Sequence, residues 1–392
     1  MMSSSSELIP TDISLIFSGD EYFVHLIEQI NNAHSNIFIE SYIFNLDPIG
    51  LKILNSLESA RRRGVHVRLL VDGIGSYNWL HRLHAECASR NISFRIYHPL
   101  PFGIDFWYHI SWNRLNRLLW FFRRINKRNH RKIALFDEQV VMMGSFNISQ
   151  VHSETYLGNK AWRDSGLIAK NFSTNSDLKI LQKAFNETWT TSRYFRRTNL
   201  RSFIRFGRAF KIVRSRFRLN SRTYWRFHLL RELNAKLIHA QTRIWITNAY
   251  FLPRKSILRN LRKVAAKGIS VQLLLPEVTD VWFVREASRS LYERLLESGV
   301  RIFEYQNRVL HAKTLIVDDW ATVGSHNLNH RSFNHDLEAE AVITEPSLIN
   351  ILTEQWKKDI KNSREITLEE LGHITFPRKI LARILYWFRF WI

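Results

Sequence analysis

Apolar positions along this chain alternate between two spacings, and their order points to a fold class. From Gly19, the residues Phe23, Leu26, Ile27 and Ile30 recur at helical spacing and lead into Ser35–Phe44, an extended apolar run. A second helical stretch through Ile53 and Leu57 ends at Arg63-Gly64. Val65–Val71 then reads as a buried strand closing at Asp72-Gly73. Helix and strand patterns in alternation predict a layered α/β domain: a mostly parallel or mixed sheet flanked by helices.

The pattern is then repeated. Ala240–Phe251 aligns without gaps on Ala33–Phe44, an offset of 207 residues, and Gly268–Leu275 aligns on Gly64–Val71 with an offset of 204. Gly299–Tyr305 matches Asn91–Tyr97 at an offset of 208. Self-similarity on this scale predicts two duplicated α/β domains related by a pseudo-twofold axis. The expected division is a flexible leader over 1–13, a first domain over 14–192, a basic connector over 193–230, a second domain over 231–362 and an amphipathic tail over 363–392.

Within each repeat lies the same chemistry. The first carries His130-Arg-Lys132, Asp137 and Gly144-Ser145-Phe146-Asn147; the second carries His311-Ala-Lys313, Asp318 and Gly324-Ser325-His326-Asn327. The run after each lysine is strand-like, so period two sets the histidine and lysine of each pair on one face. Asp137 and Asp318 each follow their histidine by seven positions, an odd separation that turns them away from that face. They read as supports before catalysts. An imidazole and an ammonium side by side, with hydroxyl and amide groups from a small-residue turn (Ser145, Ser325, Asn147, Asn327), suit the gripping of a phosphate.

Between the histidines the offset falls to 181, so the first half holds 27 extra residues after Tyr97. This insertion, at about 102–129, places Trp112, Leu115, Leu118, Leu119, Phe122 and Ile125 on one helical face, with Arg114, Arg117, Arg124 and Arg128 around the other. A basic amphipathic helix with aromatics suits a membrane interface, and packing on the protein itself is the alternative. Arg193–Arg226 contains twelve arginines and lysines and no acid. The tail over 378–392 is apolar, aromatic and basic at once, as an interfacial anchor or a dimerisation helix would be.

Composition sharpens this picture. Against 57 Lys+Arg stand 35 Asp+Glu, a formal net charge of +22, so the partner expected is anionic: a membrane surface of acidic phospholipid, or nucleic acid. The single cysteine, Cys87, excludes an internal disulfide framework. No apolar run is long and charge-free enough to span a bilayer, and the N-terminus lacks a signal-peptide pattern. His326 and His330 are four apart, as helix-borne metal ligands are, but no glutamate stands beside the first in a His-Glu-x-x-His arrangement.

His-x-Lys-x4-Asp followed by Gly-Ser-x-Asn, present twice, is the signature of the phospholipase D superfamily, which this chain resembles. Asp72-Gly73, Asn129-His-Arg-Lys132, Trp162-Arg163-Asp164, Tyr250-Phe-Leu-Pro253 and Arg331-Ser332 with Glu338 resemble, within it, the bacterial cardiolipin synthase branch, in particular its short members without N-terminal membrane spans. The resemblance covers about Ser14 to Thr344. It implies one shared active site with no metal or organic cofactor. A phosphatidyl group would pass through a phosphohistidine to the hydroxyl of a second phospholipid such as phosphatidylglycerol.

His130 is implied as nucleophile and His311 as acid and base. Asp164 is expected to orient His130, and Glu338 to orient His311, with Glu340 as a substitute for Glu338. Asp336 and Asn329 depart from the branch pattern, which has asparagine and aspartate there. The implied setting is peripheral, on the cytoplasmic face of a bacterial inner membrane, with nucleic acid not expected as partner. A phospholipase D releasing phosphatidic acid and a metal-independent nuclease are the competing activities. A membrane-binding module without catalysis is a third alternative.

Overall fold

Runs of three to nine residues, mostly β-branched and apolar, build two sheets in the computed structural model, which describes residues 12–99, 126–170, 175–192, 215–372 and 376–387. The first sheet comprises β1 (Asp12–Ile16), β2 (Asn36–Ser41), β3 (His66–Asp72), β4 (Ser93–Tyr97), β5 (Ile133–Phe136), β6 (Val140–Gly144) and β7 (Gly166–Lys170), in the spatial order β1-β7-β6-β5-β2-β3-β4. The second comprises β8 (Phe217–Leu219), β9 (Arg243–Asn248), β10 (Ser270–Val278), β11 (Arg301–Val309), β12 (Lys313–Val317), β13 (Trp320–Gly324), β14 (Ala339–Ile343) and β15 (Ser363–Ile366), ordered β15-β11-β10-β9-β12-β13-β14-β8.

The duplication read from the sequence is therefore a duplication of topology. β2-β3-β4 and β9-β10-β11 are parallel, each linked by crossover helices such as Pro48–Arg62 and Lys255–Ala265. The strand carrying the post-lysine run, β5 or β12, then pairs antiparallel with the first strand of its parallel set. Helix Pro48–Arg62 starts where the sequence dictates: Pro48 presets the first turn and Asp47 accepts the N–H of Gly50 at 3.1 Å.

Both faces of the antiparallel strands are apolar, so each sheet is covered twice. Outer cores pack under helices Gly19–Asn32, Pro48–Arg62 and Leu80–Ser89 in the first half, and under Thr223–Ile238, Lys255–Ala265 and Tyr292–Leu296 in the second. The inner faces meet each other. Leu135, Val141, Met143 and Leu167 join Ile316, Ala321, Val323 and Ala341 in one buried cluster, flanked by helices Asn175–Thr191 and Pro346–Lys361. A shared apolar core of this kind fixes the relative position of the halves.

Several boundaries differ from expectation. The first sheet begins at Asp12, inside the expected leader; Phe217–Leu219 and the first half of helix Thr223–Ile238, expected in the connector, belong to the second sheet and its cover; β15 carries that sheet past 362. β8 and β15 are short edge strands with little apolar alternation, which is why the sequence hides them. Arg128 is not on a solvent face: it is 1% exposed, with its guanidinium 3.4 Å from Asp72 and donating to the His98 carbonyl. The helical face expected over 102–125, the arginine run over 193–214 and the end of the tail lie outside the described residues. No helix among the described residues is long and apolar enough to cross a membrane.

Candidate active site

The halves are stitched by two short reciprocal bridges. Asn129 pairs with Leu337 and Arg163 with Leu310, outside the main sheets. In the first bridge His130 N–H donates to the Leu337 carbonyl (2.9 Å) and Leu337 N–H to Arg128 (2.8 Å). In the second, Arg163 N–H donates to Val309 (2.8 Å), and the Arg163 carbonyl accepts from His311 and Ala312 (2.8 and 2.9 Å). Each bridge lays the residues before one histidine against those before the other half's acid. Arg163 is itself held by Asp359 through paired contacts of 3.0 and 2.8 Å.

This wiring corrects the expected pairing of acids and bases. Glu338, from the second half, takes His130 Nδ1 at 3.0 Å, and Asp164, from the first half, takes His311 Nδ1 at 2.6 Å. Neither acid orients the histidine of its own half, because the bridges bring the opposite strand end within reach. Glu340 is no substitute: it faces Arg218, at 3.9 Å. Asp336 accepts from the Arg128 N–H and pairs with Arg331 at 2.9 Å, while Asn329 caps helix His330–Asn334.

Parity along the strands holds. Arg131, between the paired residues, points the other way to Glu40 (3.2 Å), while Lys132 Nζ donates to the His130 carbonyl at 2.8 Å. Lys313 Nζ makes the same contact with the His311 carbonyl. The histidines stand just ahead of β5 and β12, not within them. Gly144 and Gly324 are required by closeness: a Cβ on Gly144 would lie 2.5 Å from the Ser165 carbonyl, and one on Gly324 would lie 2.3 Å from the Ala339 carbonyl. That approach lets Ser325 donate to Glu338 (2.5 Å), with the Ala339 carbonyl 3.3 Å from the same hydroxyl, and Ser145 to the Ser165 carbonyl (3.1 Å). Asn147 and Asn327 are buried beside them, at 1% and 3% exposure.

Asp137 and Asp318 do not join the site. Each sits in the hairpin turn after its strand at positive φ (50° and 51°) and ties down the start of a neighbouring strand. Asp137 accepts the N–H groups of His34, Ser35 and Asn36; Asp318 accepts those of Gln241, Thr242 and Arg243. They are supports, as their odd spacing predicted. His326 and His330 serve local packing, His326 against the Phe333 ring and His330 beside Asn334.

Burial sets the electrostatics. It lowers both imidazoles against the pull of their acids, His311 to about 3, with Lys313 adding to the effect there. It also holds Lys313 down to about 8, and burial together with Lys313 holds Lys132 well below the usual lysine value. Burial alone would raise the acids. The imidazoles of His311 and His152 outweigh it at Asp164, holding that carboxyl well below its usual range, and His130 does so at Glu338, leaving it at about 2. At neutral pH the site therefore holds two carboxylates and two neutral imidazoles whose Nε2 atoms are free of the acids. An arriving phosphodiester anion raises the affinity of both imidazoles and both lysines for protons. A phosphodiester bound there would thereby give the site a general acid.

Sequence reasoning missed three neighbours. Tyr42 stands edge-on to His130 (4.9 Å between centroids), Trp162 lies 5.3 Å from His311, and His152 bonds Asp164. In the gapless repeat alignment Tyr42 falls opposite Ala249, with Tyr250 one position later, so the repeat does not flag it.

Two His-x-Lys pairs, each histidine oriented by a buried acid across a pseudo-twofold junction, define a phospholipase D superfamily enzyme. Residues 26–189 and 233–360 match the family described as cardiolipin synthase, PLD-like domain. The chain belongs to that family. It is 30% identical over 390 residues to a cardiolipin synthase of Clostridium perfringens (strain SM101 / Type A), covering 95% of this chain and 74% of the relative. It is 31% identical over 333 residues to cardiolipin synthase B of Salmonella typhimurium, covering 84% and 76%. The fold is shared with a phosphatidylserine synthase of Haemophilus influenzae (TM-score 0.70, 15% identity, 99% and 96% of the two chains).

Proposed function

We propose that this protein transfers a phosphatidyl group from one phosphatidylglycerol to the hydroxyl of a second, giving cardiolipin and glycerol. The observation that carries the chemistry is the pair of imidazoles whose Nδ1 atoms are occupied by carboxylates, leaving both Nε2 atoms for one phosphorus. His130 Nε2 attacks phosphorus, and the P–O bond to glycerol breaks as His311 gives that oxygen its proton. The second lipid's hydroxyl then returns a proton to His311 and attacks phosphorus, and the P–N bond breaks. Lys132, Lys313, Asn147 and Asn327 hold the oxyanion, with Ser145 and Ser325 shaping the turns. Assigning attack to His130 rests on family resemblance and on its greater accessibility, 10% of the side chain against 4% for His311.

The lipid reading is supported at the surface. Helix Phe376–Trp387 packs Leu385 and Tyr386 toward Val284 and Ala287 of helix Trp282–Arg289, with Arg378 paired to Glu286 at 2.9 Å. Its other side exposes Ile380, Leu381, Ile384 and Trp387, and Trp282 is exposed on the neighbouring helix. An apolar aromatic face on a helix carrying Arg378 and Arg383 suits the interface of an anionic bilayer. The place proposed for it is the cytoplasmic face of a bacterial inner membrane.

Mass spectrometry of products from phosphatidylglycerol vesicles tests the reaction. Cardiolipin and glycerol are expected; phosphatidic acid without cardiolipin makes the protein a hydrolase. A phosphorylated peptide trapped during turnover should map to His130.

A further inference from the structure

His152 belongs to neither repeated motif and is fully buried (0% exposed). Its two ring nitrogens have different partners. Nε2 lies 3.2 Å from the N–H of Asn147, and Nδ1 lies 2.7 Å from Asp164 Oδ2. A backbone N–H can only donate, so Nε2 carries the lone pair and the ring proton sits on Nδ1, donated to Asp164. The main chain thus sets the tautomer.

The equivalent position in the second half is Ser332, since each follows its motif serine, Ser145 or Ser325, by seven residues. Ser332 donates to Glu338 Oε1 at 2.6 Å, and Ser325 to Oε2 at 2.5 Å. In the first half the acid is one methylene shorter, and Ser145 turns to the Ser165 carbonyl. A long acid with a short partner on one side corresponds to a short acid with a long partner on the other.

We propose that His152 is a positioning residue for His311. Its Nδ1–H fixes Asp164 Oδ2 so that Oδ1 meets His311 Nδ1 at 2.6 Å, and its Nε2 ties the Asn147 backbone to the same assembly. The inference rests on the phosphatidyl-transfer reading for its kinetic consequence but not for its effect on titration. The groups facing His311 are Asp164 and His152, with Lys313 of its own motif and Lys132 of the other half. Loss of the His152 bond leaves Asp164 a stronger base, so His311 holds its proton to higher pH. Whether His311 acts neutral or protonated, the pH limb it governs moves upward.

The test compares His152→Phe, which fills the space without a donor, with His152→Asn, which restores a donor near the Nδ1 position. Histidine ¹⁵N NMR of the full chain without lipid, with the His311 signal identified by its loss in His311→Ala, should show His311 titrating at higher pH in the Phe variant. The Asn variant should titrate near the wild type. With phosphatidylglycerol vesicles, kcat should fall by about tenfold to a hundredfold in the Phe variant, with KM little changed and part of the rate recovered in the Asn variant. A fall in kcat with an unmoved His311 titration overturns the proposal, as does an unchanged kcat. If the Phe variant does not fold, His152→Ala with added imidazole decides: recovered transfer supports the role, and no recovery overturns it. A wild type making neither cardiolipin nor phosphatidic acid refutes the proposed reaction, while the lipid-free titration still judges His152.

Discussion

The two half-sites present the same motif with different supporting chemistry. His130 leans on a glutamate held by two serine hydroxyls, whereas His311 leans on an aspartate held by a second imidazole. The hydroxyls of Ser325 and Ser332 are neutral donors at any working pH. An imidazole occupies more space and is held at both ring nitrogens, so the His311 side is the more sensitive to packing. Two copies of one ancestral pattern have therefore become unequal in the groups behind the histidines and not in the histidines themselves.

The comparison can be broken most directly at its centre. His130→Ala and His311→Ala should each lower transfer by about 10⁴-fold or more, since either removes a group in bond making or proton transfer. Only the protein retaining the nucleophile should still accept a phosphoryl label. Next come the acids: Asp164→Asn and Glu338→Gln should each cost about 10²- to 10⁴-fold in kcat. Crossed pairing predicts which doubles fail to add. Asp164→Asn should do little further harm in a His311→Ala background but remain costly in His130→Ala; the reverse pattern, by rate measurement, would restore the within-half pairing.

A smaller effect separates the lysines. With Lys313 held down to about 8 by burial, its ammonium is lost as pH rises through that value, and kcat/KM should fall with it. Lys313→Arg stays charged and should push that alkaline limb upward, at a cost of roughly tenfold in rate. A limb that stays in place assigns the titration to another group. The smallest effect should be symmetric: Asp137→Ala and Asp318→Ala each destabilise by about 1–2 kcal/mol in denaturant unfolding, with activity per folded molecule retained, because each removes a turn anchor and no site group.

The repeat offsets and the strand patterns were sufficient for the layered fold and for the paired His, Lys, Ser and Asn residues of the site, whereas Asp164 and Glu338 came from the family resemblance. Local period settles which face His130 and Lys132 share and why Asp137 turns away. It is silent on which chain segments meet across the junction, so the partners of Asp164 and Glu338 were assigned within their halves when the bridges at Leu310 and Leu337 cross them. His152 escaped for a related reason. Its significance is visible only when its ring is seen between Asn147 and Asp164, and at the equivalent position of the other repeat stands a serine.

Those crossed bridges also determine where damage shows. A lesion at 163–164 would leave the His130 motif in the same half intact and declare itself as a fault of His311, 147 positions away in the chain. Neither half, produced alone, would possess a working base. Activity should return only when the two polypeptides are mixed and reassemble, so the gene can be cut in two but not halved.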